Sequence, residues 1–144
     1  MADSIEKAIR DRWAASAALT ALMSVNSLTT GWNPEEKATD EQLPAGMLNV
    51  QRTRPNYTSD GRSEDVGVRL QIWSREHAEG KAIRDQICGY RGESSFVPGV
   101  FDNQSWAAVG SNVTLCRVEN DFALQEEDGV WQFVFDLTVI YDGR

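Results

Sequence analysis

The chain is short of the residues from which most active sites are built. It holds one histidine, His77, and two cysteines, Cys88 and Cys116, in 144 residues. A structural or catalytic metal needs three or four such ligands close together, so no metal site is expected. A catalytic histidine needs a partner acid or nucleophile. His77 instead stands among Arg75, Glu76 and Glu79 at the head of a predicted helix, where it reads as a solvated or capping residue. The two thiols, one on a predicted helix and one on a predicted strand, read as core residues of a protein in a reducing compartment rather than as a disulfide. Gly89, Gly92, Gly99 and Gly110 miss the spacing of dinucleotide and phosphate loops. No Gly-x-Ser-x-Gly elbow occurs. The expectation is therefore no catalytic residue and no cofactor.

Long apolar runs are also missing. None approaches the roughly 20 residues of a membrane-spanning helix, so no membrane partner is expected. The Met1-Ala2-Asp3-Ser4 start lacks the basic-then-apolar layout of a secretion signal, which predicts synthesis in a cytoplasm. In that setting the Asn-x-Ser/Thr triplets at Asn56, Asn103 and Asn112 are chance matches. Basic charge is scarce: 14 Lys and Arg against 22 Asp and Glu leave −8. That surplus favours solubility and disfavours wrapping nucleic acid. The carboxylates gather in predicted loops, at Glu35, Glu36, Asp40 and Glu41 and again at Glu126, Glu127 and Asp128. Neither this last group nor Glu119-Asn120-Asp121 has the alternate spacing of a calcium loop. Arg52, Arg54, Arg62 and Arg69 fall on one predicted hairpin. They form either a solvated strand face or a contact surface for an acidic neighbour.

What is present is a globular composition, with 41% apolar and 25% charged residues. The length suits one domain over residues 1–144. The chain is organised around residues 130–142, VWQFVFDLTVIYD, in which Trp131, Phe133, Phe135, Leu137, Val139 and Tyr141 alternate with a second set. Period-two patterning predicts a strand with one buried face. At roughly 3.3 Å per residue it is long enough to cross a whole domain. Before it, Ile5, Ile9 and Trp13 recur at helical spacing after Asp3, an expected N-cap with Glu6 three residues on. The helix runs on towards Met23, as one piece or as two divided at Ser16. Residues 28–32, 46–53 and 65–73 read as strands, the last with Val66, Val68, Leu70 and Ile72 on one side. Asp60-Gly61 signals a turn, although the connection from Arg54 to Ser63 reads as too long for a two-residue hairpin. A second helix follows Ser74, its expected cap, and runs to about Tyr90 with Ala82, Ile83 and Ile87 as its buried stripe. Residues 94–111 read as irregular, and 112–124 as a bulged strand. The predicted fold class is α+β, a mainly antiparallel sheet with two helices packed on one face. Its core is expected from Ile5, Ile9, Val66, Val68, Leu70, Ile72, Ile83, Ile87, Phe133, Phe135 and Leu137.

Five tryptophans remain to be placed. Trp13, Trp73 and Trp131 fall on regular elements and read as core or edge of core. Trp32 and Trp106 fall at or inside predicted loops, where an indole is either folded back or presented to a partner. Residues 33–43 are polar, with neither helical nor strand periodicity. They read as a segment too poor in apolar area to order itself until it meets a neighbour.

Several stretches together resemble one family. They are Ile5-Glu6-Lys7-Ala8-Ile9 continuing to Ala17-Ala18-Leu19-Thr20-Ala21-Leu22, Leu70-Gln71-Ile72-Trp73-Ser74-Arg75 before a helix with Ala82, Ile83 and Ile87, and the long strand from Trp131 to Tyr141. This order resembles the tail-completion, or tail-terminator, proteins of long-tailed bacteriophages. The resemblance implies a structural virion protein and not an enzyme. It implies a ring of copies of itself, typically six, at the head-proximal end of the tail. Its partners would be the tail-tube protein and a head-completion (stopper) protein, with DNA passing through unbound. The interface residues expected on this basis are Trp32, Glu35, Glu36, Arg54, Tyr57 and Trp106. Two other readings remain open. One is a different head–tail connector or tail-tube subunit. The other is a small α+β enzyme with an acid/base carboxylate pair drawn from Asp65, Glu119 and Asp136.

Overall fold

Burial of one face of residues 131–143 explains most of the architecture. The computed structural model describes residues 4–30, 43–58, 61–108, 111–126 and 129–143. Helix α1 (Ile5–Ala15) is capped by Ser4, whose side chain accepts the Lys7 N–H at 3.2 Å, so the cap lies one residue after the expected Asp3. Its buried face is Ile5, Ala8, Ile9 and Trp13, spaced at helical period. Ser16 divides the helical run. Its N–H closes α1 on Trp13 O, and its side chain accepts the Leu19 N–H to cap α2 (Ala17–Leu22). Trp13 is fully buried, and its indole N–H donates to Met23 O at 2.9 Å, fastening the two helices together.

Strand β1 (Leu28–Thr30) pairs in parallel with β2 (Ala45–Thr58). Arg10 secures it by donating to Leu28 O. Strands β2 and β3 (Gly61–Ser74) pair from Ala45↔Trp73 to Thr58↔Gly61, which leaves two residues between them. The open connection expected between Arg54 and Ser63 is therefore paired strand. Pro55 looks like a breaker in sequence, but an edge strand tolerates proline because its outward side needs no ladder bond.

Helix α3 (His77–Cys88) follows. Ser74 is not its N-cap. That position is Glu76, which makes no side-chain capping bond. The buried Ser74 hydroxyl instead accepts the Glu76 N–H and donates to Glu79 Oε1 at 2.7 Å, shaping the strand-to-helix turn. Gly89, at φ +87, ends the helix in a conformation that favours glycine. Residues 94–111 are not wholly irregular. Strand β4 (Gly89–Arg91) pairs with β5 (Phe96–Pro98) as a small ribbon, and β6 (Gln104–Ala108) joins the main sheet. Strand β7 (Ser111–Gln125) pairs with the long β8 (Trp131–Gly143), with register shifts at 113/115 and 118/120, on either side of the expected bulge.

The main sheet has the order β1-β2-β3-β8-β7-β6, so the long final strand lies inside it. The parallel β1 makes the sheet mixed rather than purely antiparallel, and the described residues form three α-helices, the first predicted helix being divided at Ser16 into two. The α+β description holds broadly. Helix α3 packs on β3 and β8, and α2 packs on α3 and α1. All the residues expected in the core are buried there, joined by Trp13, Leu19, Leu28, Leu48, Phe101, Val139 and Tyr141 among others. At Gly80, a Cβ would lie 2.0 Å from the Phe133 ring, so the glycine lets α3 sit directly on β8.

Candidate assembly surface

The face of the sheet opposite α3 is set by the other phase of β8. Gln132, Val134, Asp136, Thr138 and Ile140 stand opposite Trp73, Gln71, Arg69, Gly67 and Asp65 of β3. This face carries the charged residues of the centre of the sheet. Arg69 and Asp136 are cross-strand partners in a two-pronged pair, Nε to Oδ1 at 2.9 Å and Nη2 to Oδ2 at 3.2 Å. That bond raises the guanidinium pKa of Arg69. Arg52 runs across β3 above Gly67, where a Cβ would meet its Nε at 2.7 Å, and its Nη2 reaches Asp65 Oδ1 at 3.4 Å. At that separation the contact is an ion pair and not a hydrogen bond, since Asp65 Oδ1 has no hydrogen-bond partner. Arg117 holds Glu119 with Nε at 2.8 Å and Nη2 at 2.6 Å. Hydrogen bonding to Arg117 keeps the Glu119 carboxyl below the usual carboxylate range.

A shallow depression of about 240 Å³ gathers Arg52, Gly67, Glu119, Asp136 and Thr138. It brings together two of the three carboxylates considered for an acid/base pair, and it does not suit them to that work. A general acid at neutral pH needs a carboxyl pushed up by burial or by a second carboxylate. Here Glu119 is pushed down, and Asp136 is tied to Arg69 with about a third of its side chain exposed. Among the described residues, no three His, Cys, Asp or Glu side chains come together to hold a metal. Cys88 and Cys116 are free thiols, each pushed up to about 12 by burial, which makes them poor nucleophiles. His77, exposed at the start of α3, rests its ring edge on Trp131 at 4.6 Å.

The expected interface residues separate. Trp32, Glu35 and Glu36, with most of the polar segment 33–43, lie outside the described residues. Tyr57 is on β2 near its end, opposite Arg62. Arg54 is exposed on β2, opposite Asp65. Trp106 lies on β6 and is folded back, half-buried: its ring meets Phe101 edge-on at 6.0 Å, and the Arg12 guanidinium lies 5.2 Å above it. Arg12 also donates to Val100 O and Gln104 Oε1, so this corner braces β6 against α1.

Sequence reasoning missed the exposed apolar side chains. Phe122 and Leu124, on β7, are 39% and 47% exposed, and Phe96 at the head of β5 is 61% exposed. Phe122 and Leu124 stand opposite Val134 and Gln132, on the face away from α3. The signal was available in the Phe-x-Leu alternation at the end of a strand, in phase with the less apolar side of β8.

A fold of this kind is shared with a chain of a solved virion structure. A chain of the solved structure "Virion of native gene transfer agent (GTA) particle" superposes with a TM-score of 0.67 at 12% identity, over 97% of this chain and 96% of that one. That likeness establishes the fold. No curated protein matches the sequence. The family is established separately: the model described as "Tail completion protein gp17" matches residues 7–142, nearly the whole chain, and the protein belongs to that family. It is thus a structural component of a phage-type tail.

Proposed function

We propose that this protein, acting as a single domain over residues 1–144, forms a ring at the head-proximal end of a long phage tail. There it ends polymerisation of the tube and joins the tail to the head. The observation that carries this is the family match over residues 7–142. The ring, its preferred number of six subunits and the partners at its two faces are the finer content of the proposal. A tail-tube protein would lie below it and a head-completion protein above, with DNA passing through without specific contact.

Electron micrographs of particles assembled without this protein test the proposal. Overlong tails, or tails detached from heads, are the expected result. Normal, joined particles would refute it. A tail-tube or stopper subunit gives different images, either no tails at all or heads that leak DNA beside tails of normal length.

A further inference from the structure

Among the described residues, the two long sides of the main sheet lack a neighbouring strand at opposite ends. Strand β1 pairs with β2 only at residues 46–48, so no described strand lies beside β2 on that side from residue 49 onward, and residues 51–55 are exposed. Strand β6 pairs with β7 only between residues 111 and 116. The Val118 N–H is taken by Asp102 Oδ1 at 3.0 Å. Beyond it, all residues of 119–125 are exposed except half-buried Asp121. Such edges are templates for pairing with another chain.

We infer that the seam between neighbouring copies of this chain is a continuation of the sheet, with β2 residues 49–55 of one copy pairing antiparallel with β7 residues 117–125 of the next. The inference rests on the ring reading above and specifies which surfaces make the ring. Strand polarity permits the pairing. Strands β2 and β8 run one way and β3 and β7 the other, so two copies in the same orientation present antiparallel edges to each other. Charge selects this pairing over the alternatives. By formal charge, residues 49–55 contain Arg52 and Arg54 and no carboxylate, whereas residues 117–126 contain Glu119, Asp121 and Glu126 against Arg117, although Arg52, Glu119 and Asp121 are also paired within the chain, to Asp65, Arg117 and Arg84. Pairing β2 with its own copy sets arginines against arginines, and pairing β7 with its own copy sets a net negative edge against itself. The unlike pairing is head-to-tail, and such contacts generate rings when the rotation closes. It also covers the exposed Phe122 and Leu124. Pro55, with no N–H to give, marks where the new ladder stops.

The open parts lie at opposite ends of the sheet, so each copy is displaced along the strands relative to the last. Closure then requires strands inclined to the ring axis, as in any staggered barrel.

The test uses the full-length chain in three forms, wild type, Arg54→Glu and Phe122→Lys, under conditions where wild-type rings form on tail-tube ends. Both variants should melt as the wild type does and fail to form rings. In wild-type rings, amides of residues 49–54 and 119–125 should exchange about tenfold or more slowly compared with the monomer. Rings from both variants, or slowed exchange confined to other segments, would overturn the seam while leaving the ring standing. If the wild type never forms rings with tubes present, the ring reading itself fails, and the seam with it.

Discussion

Phe135 has no exposed surface and stands between Leu70 of β3 and Asp121 of β7, on the α3 side of the sheet. Truncating a phenyl ring in such a place removes its transfer free energy and leaves a cavity. Phe135→Ala should therefore lower stability by about 3–5 kcal/mol, read from the midpoint of urea unfolding. An unchanged midpoint would mean that the ring lies on the other face. The cysteines give a second residue-scale expectation. Cys88 and Cys116 are each pushed up to about 12, chiefly by burial, while an unfolded thiol ionises near about 8.5. The folded state therefore holds protons that the unfolded state releases. The stabilisation is complete below about pH 8.5 and is lost as pH rises from there towards 12. Iodoacetamide at about pH 8.5 should leave both thiols unmodified in the native protein and alkylate both in denaturant. Rapid native alkylation at Cys116 would contradict its burial.

Among the elements, α3 is held to the sheet at two levels. Its surface Arg84 donates to Asp121 of β7 at 2.8 Å, and its Gly80 lets the Phe133 ring come up against the helix backbone. Glycine inside a helix costs about 1 kcal/mol relative to alanine, so Gly80→Ala would stabilise an isolated helix. In this protein the added methyl would begin 2.0 Å from a ring carbon. The helix must then lift off β8, and a net loss of about 1–3 kcal/mol is expected in thermal or urea melts. A gain in stability would show that the ring swings aside freely. Which elements were legible follows from similar reasoning. The phases of β3 and β8 were plain because each buries one face over many residues, and the helical faces of α1 and α3 because the apolar spacing repeats. Strands β4, β5 and β6 escaped notice because three to five residues carry no usable period and their side chains mix Pro, Ser and Gln with aromatics. The length of the β2–β3 hairpin was hidden by Pro55 and Asn56, which suit an edge strand as well as a loop. The candidate surface was less legible still. Arg54 was visible as a charge, but its place on β2 opposite Asp65 depends on how far the β2–β3 pairing extends, and pairing lengths are not written in local pattern.

For the whole molecule, the governing quantity is charge: 14 basic against 22 acidic residues, which the proposed ring would repeat in every copy. The arginines of the sheet face do not alter this for a passing polyanion, because Arg52, Arg69 and Arg117 each already hold a carboxylate. A protein that binds duplex DNA non-specifically does so by setting lysines and arginines against phosphates and releasing counterions, and that binding is strongest at low salt. A ring through which a genome passes works best with the opposite arrangement, acidic groups repelling phosphate over roughly the 8–10 Å that physiological salt allows. Assembled rings should accordingly fail to retard duplex DNA in a gel even at about 50 mM salt, the condition most favourable to phosphate contacts. The side chains lining the channel in a ring structure should be acidic or neutral. Retention at low salt that falls off steeply as salt is added, or a channel lined with arginine and lysine, would show that the charge serves solubility alone and that the channel grips DNA.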